Sequence, residues 1–253
     1  AARYTLLRDP PDRWAEHIAG PAAEDLRHTA RHFRLDWIHA GRNKSDIDVQ
    51  FLDGHEYIKR HAMYINFAKG QIKNPYDKNK YGVGYIGVGK HKSKVNGQYN
   101  YIYDTWADML NRCYHSKNRF PAYYETCTVC EEWLNFQVFG DWYESHEYSV
   151  NERLHIDKDI LYPNCRIYSP KTCLLVPQRI NMLFLNKPNK RGLPNGIIEC
   201  RSGYLSKYAG KELGIYPTLE DAYAVYSKAK ENKIKEVADE YKNIIPKETY
   251  EAL

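Results

Sequence analysis

No stretch of the 253 residues approaches the ~20 consecutive apolar side chains of a membrane span, and the opening Ala1-Ala2-Arg3 begins no apolar leader region. Mean hydropathy is -0.72, so a membrane location is disfavoured. Cysteine is scarce, six residues in all, too few for a disulfide-stapled scaffold. A reducing cytoplasm is therefore the expected compartment. Lysine is missing from the first 43 residues, where all seven basic side chains are arginine. Together with Pro10-Pro11 and Gly20-Pro21, that shift marks 1–42 as a separate segment without assignable chemistry; within it Ala22 to Phe33 reads as a short helix. Acidic residues are rare in two stretches. Between Lys69 and Lys94 seven lysines face Asp77 alone, and between Lys187 and Lys211 six basic residues face Glu199 alone.

The formal charge is +5, unevenly spread: residues 111–183 carry eight basic and nine acidic side chains, while both flanks are basic. Basic runs interleaved with aromatics and small polar residues suit a phosphate backbone, which attracts point charges, amides and flat stacking surfaces. A nucleic acid, DNA or RNA, is the expected partner. The residues expected to touch it are Lys69, Lys73, Lys78, Lys80, Lys90, Lys92 and Lys94 in the first run. In the second they are Lys187, Lys190, Arg191, Arg201 and Lys207.

Residues 43–103 read as a small β module with a basic loop. Asp46 to Leu52 alternates at a period of two and ends at Asp53-Gly54, a hairpin signal, with further strands expected through Tyr57-Ile58 and through Met63 to Phe67. The run Gly82 to Gly89 satisfies G-x-G-x-x-G in form. The next residues, Lys90-His-Lys-Ser-Lys, open no helix, so a basic loop is expected and not a dinucleotide site. Asp104 is expected to cap a helix bearing Trp106, Met109, Leu110 and Cys113. Thr128 to Glu131 reads as the capping box of another, with Trp133, Phe136, Phe139 and Trp142 as its core stripe.

Chemistry is expected at 151–185. Leu154-His-Ile-Asp157 reads as a strand, Ser169 to Thr172 as a turn, Cys173 to Val176 as a second strand, and Pro177 as the opening of a helix through Phe184. Strand alternation places His155, Asp157 and Asp159 on one face, and Asn181 stands one turn into the helix. Two carboxylates and an amide oxygen are hard donors suited to Mg²⁺ or Mn²⁺. An imidazole beside them can activate water near neutral pH, which completes the equipment for phosphodiester hydrolysis.

These residues carry a resemblance. Asp104-Thr-Trp, Arg112-Cys-Tyr, Val129-Cys-Glu-Glu-Trp133, Asp157-Lys-Asp-Ile-Leu, Tyr168-Ser-Pro-Lys-Thr-Cys173, Val176-Pro and Ile180-Asn181 together resemble the phage and intron-associated HNH endonucleases over residues 104–186. Gly203 to Leu253, above all Lys211 to Ala222, is similar to the APETALA-type DNA-binding domain, three strands before a helix, within a unit bounded at 187–253. The resemblance implies an α+β chain with a ββα-metal nuclease core between the N-terminal β module and the C-terminal strand-plus-helix domain. It implies a metal-dependent, homing-type endonuclease acting on double-stranded DNA; the missing adjacent Asp-His pair leaves a non-catalytic DNA-binding protein built on a decayed core as the alternative. In the family a metal-binding Asp stands beside a base His at the end of the first strand, with an Asn or His ligand on the helix. Two registers map onto this chain. In the favoured one His155 is the base and Asp157, Asp159 and Asn181 hold the metal; in the other Lys158 takes the base position. Cys127-Thr-Val-Cys130 with Cys113, Cys165 and Cys173 leaves a structural Zn²⁺ and buried free thiols both open.

Overall fold

The computed structural model describes residues 4–5, 38–40, 46–185 and 192–253. Most of segment 1–42, its expected helix, and the basic residues Lys187, Lys190 and Arg191 lie outside the described residues. The protein mixes helix and strand, and no described helix is long and apolar enough to cross a membrane. It divides into two compact units: residues 1–90 with 135–137, and residues 91–134 with 138–253.

The first unit is built on four antiparallel strands: β1 (Tyr4–Thr5), β2 (Ile38–Ala40), β3 (Ile47–Phe51) and β4 (Ile58–Ala62), with β3 paired to the other three. On β3 the alternation resolves as expected. Ile47, Val49 and Phe51 are buried and form the unit's core with Ala62, with Phe67 and Ile72 packed against it. Burying such a side chain contributes about 1.5–3 kcal/mol. The expected strand at Met63 to Phe67 is instead a short helix, α1 (Tyr64–Ala68), closed by Phe67 N–H donating to Met63 O at 3.1 Å and Lys69 N–H to Ile65 O at 3.1 Å. An apolar run this short fits either period, and Phe67 reaches the core from a helical turn. Residues 82–89 open no helix: a turn through Val83 is followed by isolated bridges at Gly84 and Tyr85 and a bend at 88–89, a loop as expected.

The second unit begins with a small hairpin, β5 (Lys94–Val95) and β6 (Gln98–Tyr99), leading into helix α2 (Tyr101–Tyr114). Its cap is Asn100, whose side-chain oxygen accepts from Ile102 N–H at 2.8 Å; Asp104, expected there, lies inside the first turn. The Thr128 capping box is also corrected. Thr128–Val129 is strand β7, paired in parallel with β9 (Ile167–Tyr168), and a 3-10 turn at Glu131–Leu134 precedes helix α3 (Phe136–His146). Pairing with a distant segment wins over the local cap: Thr128 N–H donates to Arg166 O at 2.7 Å and Cys130 N–H to Tyr168 O at 2.9 Å. The aromatic stripe is core, with Trp133, Phe136 and Phe139 inaccessible and Trp142 buried, and Trp106 Nε1–H donates to Trp133 O at 2.7 Å.

Strands β8 (Leu154–Asp157) and β10 (Leu174–Pro177) pair antiparallel, Val176 opposite His155 and Leu174 opposite Asp157, and run into helix α4 (Gln178–Phe184) with Pro177 as its cap. The tail forms a three-stranded antiparallel sheet, β11 (Ile197–Cys200), β12 (Gly203–Tyr208) and β13 (Lys211–Tyr216), followed by the 23-residue helix α5 (Leu219–Tyr241) and by α6 (Lys247–Glu251). Gly196, at φ +77°, turns into that sheet; a Cβ there would strike the Tyr226 ring and the Lys207 carbonyl, so only glycine lets α5 close on the strands. The far half of α5 packs elsewhere. Val237, Tyr241 and Ile245 share one core with Ile160, Leu174, Val176 and Ile180. Arg179 donates to the Glu240 carboxylate, Nη2 to Oε1 at 3.0 Å, and the Tyr241 hydroxyl donates to Glu152. The tail helix thus braces the back of the strand–strand–helix.

Candidate active site

Along β8 the burial alternates: Leu154 and Ile156 are buried, while His155 and Asp157 are half-buried on the opposite face. Helix α4 places Asn181 over that face, its carboxamide nitrogen 3.1 Å from His155 Nδ1. An amide turned half-way about its terminal bond offers its oxygen to an Nδ1–H instead. In that arrangement Nδ1 carries the proton and Nε2 keeps a lone pair. Asn181 therefore meets the imidazole directly, where the family pattern implied a metal ligand. Burial lowers the His155 pKa, reinforced by Arg153 and Arg112 and partly offset by Glu152. A neutral imidazole near pH 7 is what a general base requires.

Asp157 ends the strand. Its Oδ1 accepts from the backbone N–H groups of Asp159 and Ile160, both at 2.8 Å, which fixes the turn and leaves Oδ2 for another partner. Burial raises its pKa despite those two hydrogen bonds, and Asp159 adds to the rise. A carboxylate desolvated in this way gains from a nearby cation.

Lys158 and Asp159 are corrected. The Lys158 side chain is 5% exposed and its Nζ lies 2.8 Å from both carboxylate oxygens of Asp159, above the rings of Tyr123 and Tyr168 at 5.3 and 5.7 Å. Burial alone would lower its pKa, but the hydrogen bond and charge of Asp159 raise it overall, so this ammonium does not serve as a base. Asp159 has both carboxylate oxygens on Lys158. The pair does structural work. Lys158→Met should destabilise the protein by about 1–3 kcal/mol, below the ~3–5 of a fully buried pair because Asp159 is 37% exposed. A chemical-denaturation midpoint within error of the unaltered protein would contradict this.

Arginines 112 and 153 were missed as site residues. Arg112, in the last turn of α2, lies 5.4 Å from the Tyr168 ring and 5.8 Å from the Tyr123 ring, and Arg153 Nη2 reaches Thr105 Oγ1 at 3.4 Å. Both lower the pKa of His155. The available signal was Arg112-Cys-Tyr, a motif that carried no stated role.

A second missed group is His91 with Asp141 and Glu144. The buried imidazole has Nε2 3.0 Å from Asp141 Oδ1 and Nδ1 3.5 Å from Glu144 Oε1, its ring seated over Gly140. Among the described residues these are the three acid and imidazole side chains close enough to share a metal ion. As they stand, the imidazole bridges the two carboxylates. The described cysteines are free; burial pushes the thiols of Cys113 and Cys173 up to about 12 and that of Cys130 to about 11.

The basic runs are mostly exposed. Lys69, Lys73, Lys78, Lys90 and Lys92 face solvent, Lys80 and Lys94 lie over Tyr81 and Tyr99, and Arg201 sits in the β11–β12 turn. Lys207 pairs with Glu212 at 3.2 Å. Compared with family models, with curated proteins and with solved structures, the chain matches none.

Proposed function

We propose that the protein is a metal-dependent DNA endonuclease of the HNH type, with its hydrolytic centre at His155, Asp157 and Asn181. The observation that carries this reading is the contact between Asn181 and His155, brought together by a strand pair and the helix after it, with Asp157 on the same strand face. Asn181 holds the imidazole so that Nε2 takes a proton from the attacking water. Arg112 and Arg153 attract the scissile phosphate. The donor set fits a hard divalent cation: the unengaged Asp157 oxygen would hold Mg²⁺ or Mn²⁺. Such an ion, when bound, stabilises charge on the phosphate and the leaving oxygen.

The three-strand-plus-helix tail and the exposed lysines supply DNA contacts in this reading, and the absence of an adjacent Asp-His pair is what favours a non-catalytic alternative. Incubation with supercoiled plasmid separates the two. Relaxed or linear product in Mg²⁺ or Mn²⁺, and none in EDTA, is the expected result; retarded but uncut plasmid would leave a DNA-binding protein. Asn181→Asp offers a finer check. A carboxylate beside His155 favours the imidazolium, so the acid limb of the rate profile should move to higher pH, from below the ordinary ~6.5 of imidazole. An unmoved limb would remove Asn181 as the positioning residue.

A further inference from the structure

The first unit holds a recess of about 510 Å³ between β4, α1 and the segment after it. Lys59, Lys73, His61, Asn66, Gln71, Asn74 and Asn79 contribute its polar lining, Asn74 already donating to Asp53, with Tyr57 and Ile72 as an apolar wall, and none of the described lining residues is a carboxylate. Five of these polar groups are unspent. The ammonium groups of Lys59 and Lys73 and the carboxamides of Asn66, Gln71 and Asn79 make no hydrogen bond or ion pair among the described residues. The backbone is also held in an unusual shape there. His61 has φ +52°, a left-handed conformation inside a strand, fixed from outside the recess by Asp48 accepting from its backbone N–H at 3.0 Å and by Asp46 against its imidazole at 3.1 Å. Non-glycine residues in that region cost free energy and persist where the surroundings over-determine them, commonly at binding sites.

We infer that this recess receives one unstacked nucleotide of the DNA on which the protein acts. The inference rests on the endonuclease reading for its choice of DNA. Two lysines match a phosphate, and Asn and Gln carboxamides carry the donor–acceptor pair that reads a base edge. An apolar wall accepts the face of an extruded base. A lysine surface that only tracked a duplex backbone needs neither recess nor carboxamides. The volume lies within the ~300–1,000 Å³ of sites that enclose small ligands.

The test uses the full chain in EDTA, so that no cutting occurs, with two fluorescent duplexes, one fully paired and one with a single bulged adenosine. Anisotropy titration should give the bulged duplex about tenfold tighter binding. In Asn66→Ala/Gln71→Ala, whose side chains lie outside the core, the preference should vanish while affinity for the paired duplex stays within about twofold. Equal affinity of the unaltered protein for both duplexes overturns the inference, as does a variant that weakens both equally. Plasmid cleavage in Mg²⁺, read separately, keeps the two claims apart. Cleavage without bulge preference overturns the recess alone, and bulge preference without cleavage supports the recess while removing the endonuclease.

Discussion

His155→Ala should lower plasmid cleavage by about 10²–10⁴-fold, the usual contribution of a positioned general base. Half-buried and facing away from the core residues Leu154 and Ile156, His155 can be truncated with little effect on packing. Its hydrogen-bond partner Asn181 is also only half-buried, so water can replace the lost contact. DNA affinity should stay within about threefold, because neutral imidazole contributes no charge to the phosphate backbone. Loss of cleavage with binding retained assigns His155 to the chemical step. Cleavage at the unaltered rate would move the base elsewhere.

Asp157→Asn should be comparably severe, at about 10³-fold, the order expected when a cation that stabilises developing charge is lost. Asparagine is the informative substitution because its side-chain oxygen can still accept from the backbone N–H groups of Asp159 and Ile160, so the turn is kept. Asp157→Ala would break that turn and confuse folding with chemistry. The pH dependence of stability gives an independent check with a definite sign. Burial holds the Asp157 pKa above its unfolded value, so the unfolded chain releases this proton first and the carboxylate opposes folding as pH rises past the ordinary ~3.9. Asp157→Asn removes that penalty, and a thermal midpoint at neutral pH equal to or above that of the unaltered protein is expected. A collapse of the midpoint would make Asp157 a structural residue alone.

The parts of this fold that were legible in the sequence are those where local pattern and tertiary demand agree. Leu154 to Asp157 alternates because one face of β8 is core, and Pro177 opens α4 because a cap needs no N–H there. The tail's three strands before a helix came from the resemblance and not from a local pattern. What was illegible depends on partners far along the chain. Thr128 looked like a cap until Arg166 and Tyr168 supplied a strand edge. Met63 to Phe67 carries no signal that distinguishes a turn of helix from a strand. At the site, His155 and Asn181 are 26 residues apart, and Lys158 was weighed as a base because its adjacent ion pair and the rings of Tyr123 and Tyr168 are not a sequence pattern. Arg112 stands 43 residues before His155, so no local pattern linked the two.

A crystal grown or soaked with Mn²⁺ and measured for anomalous scattering addresses the central claim most directly, because the proposed site at Asp157 shares no residue with the group of His91, Asp141 and Glu144. The account predicts a peak about 2.0–2.2 Å from the free carboxylate oxygen of Asp157, on the face that carries His155 and Asn181. A peak held only by His91, Asp141 and Glu144, with none at Asp157, would contradict it.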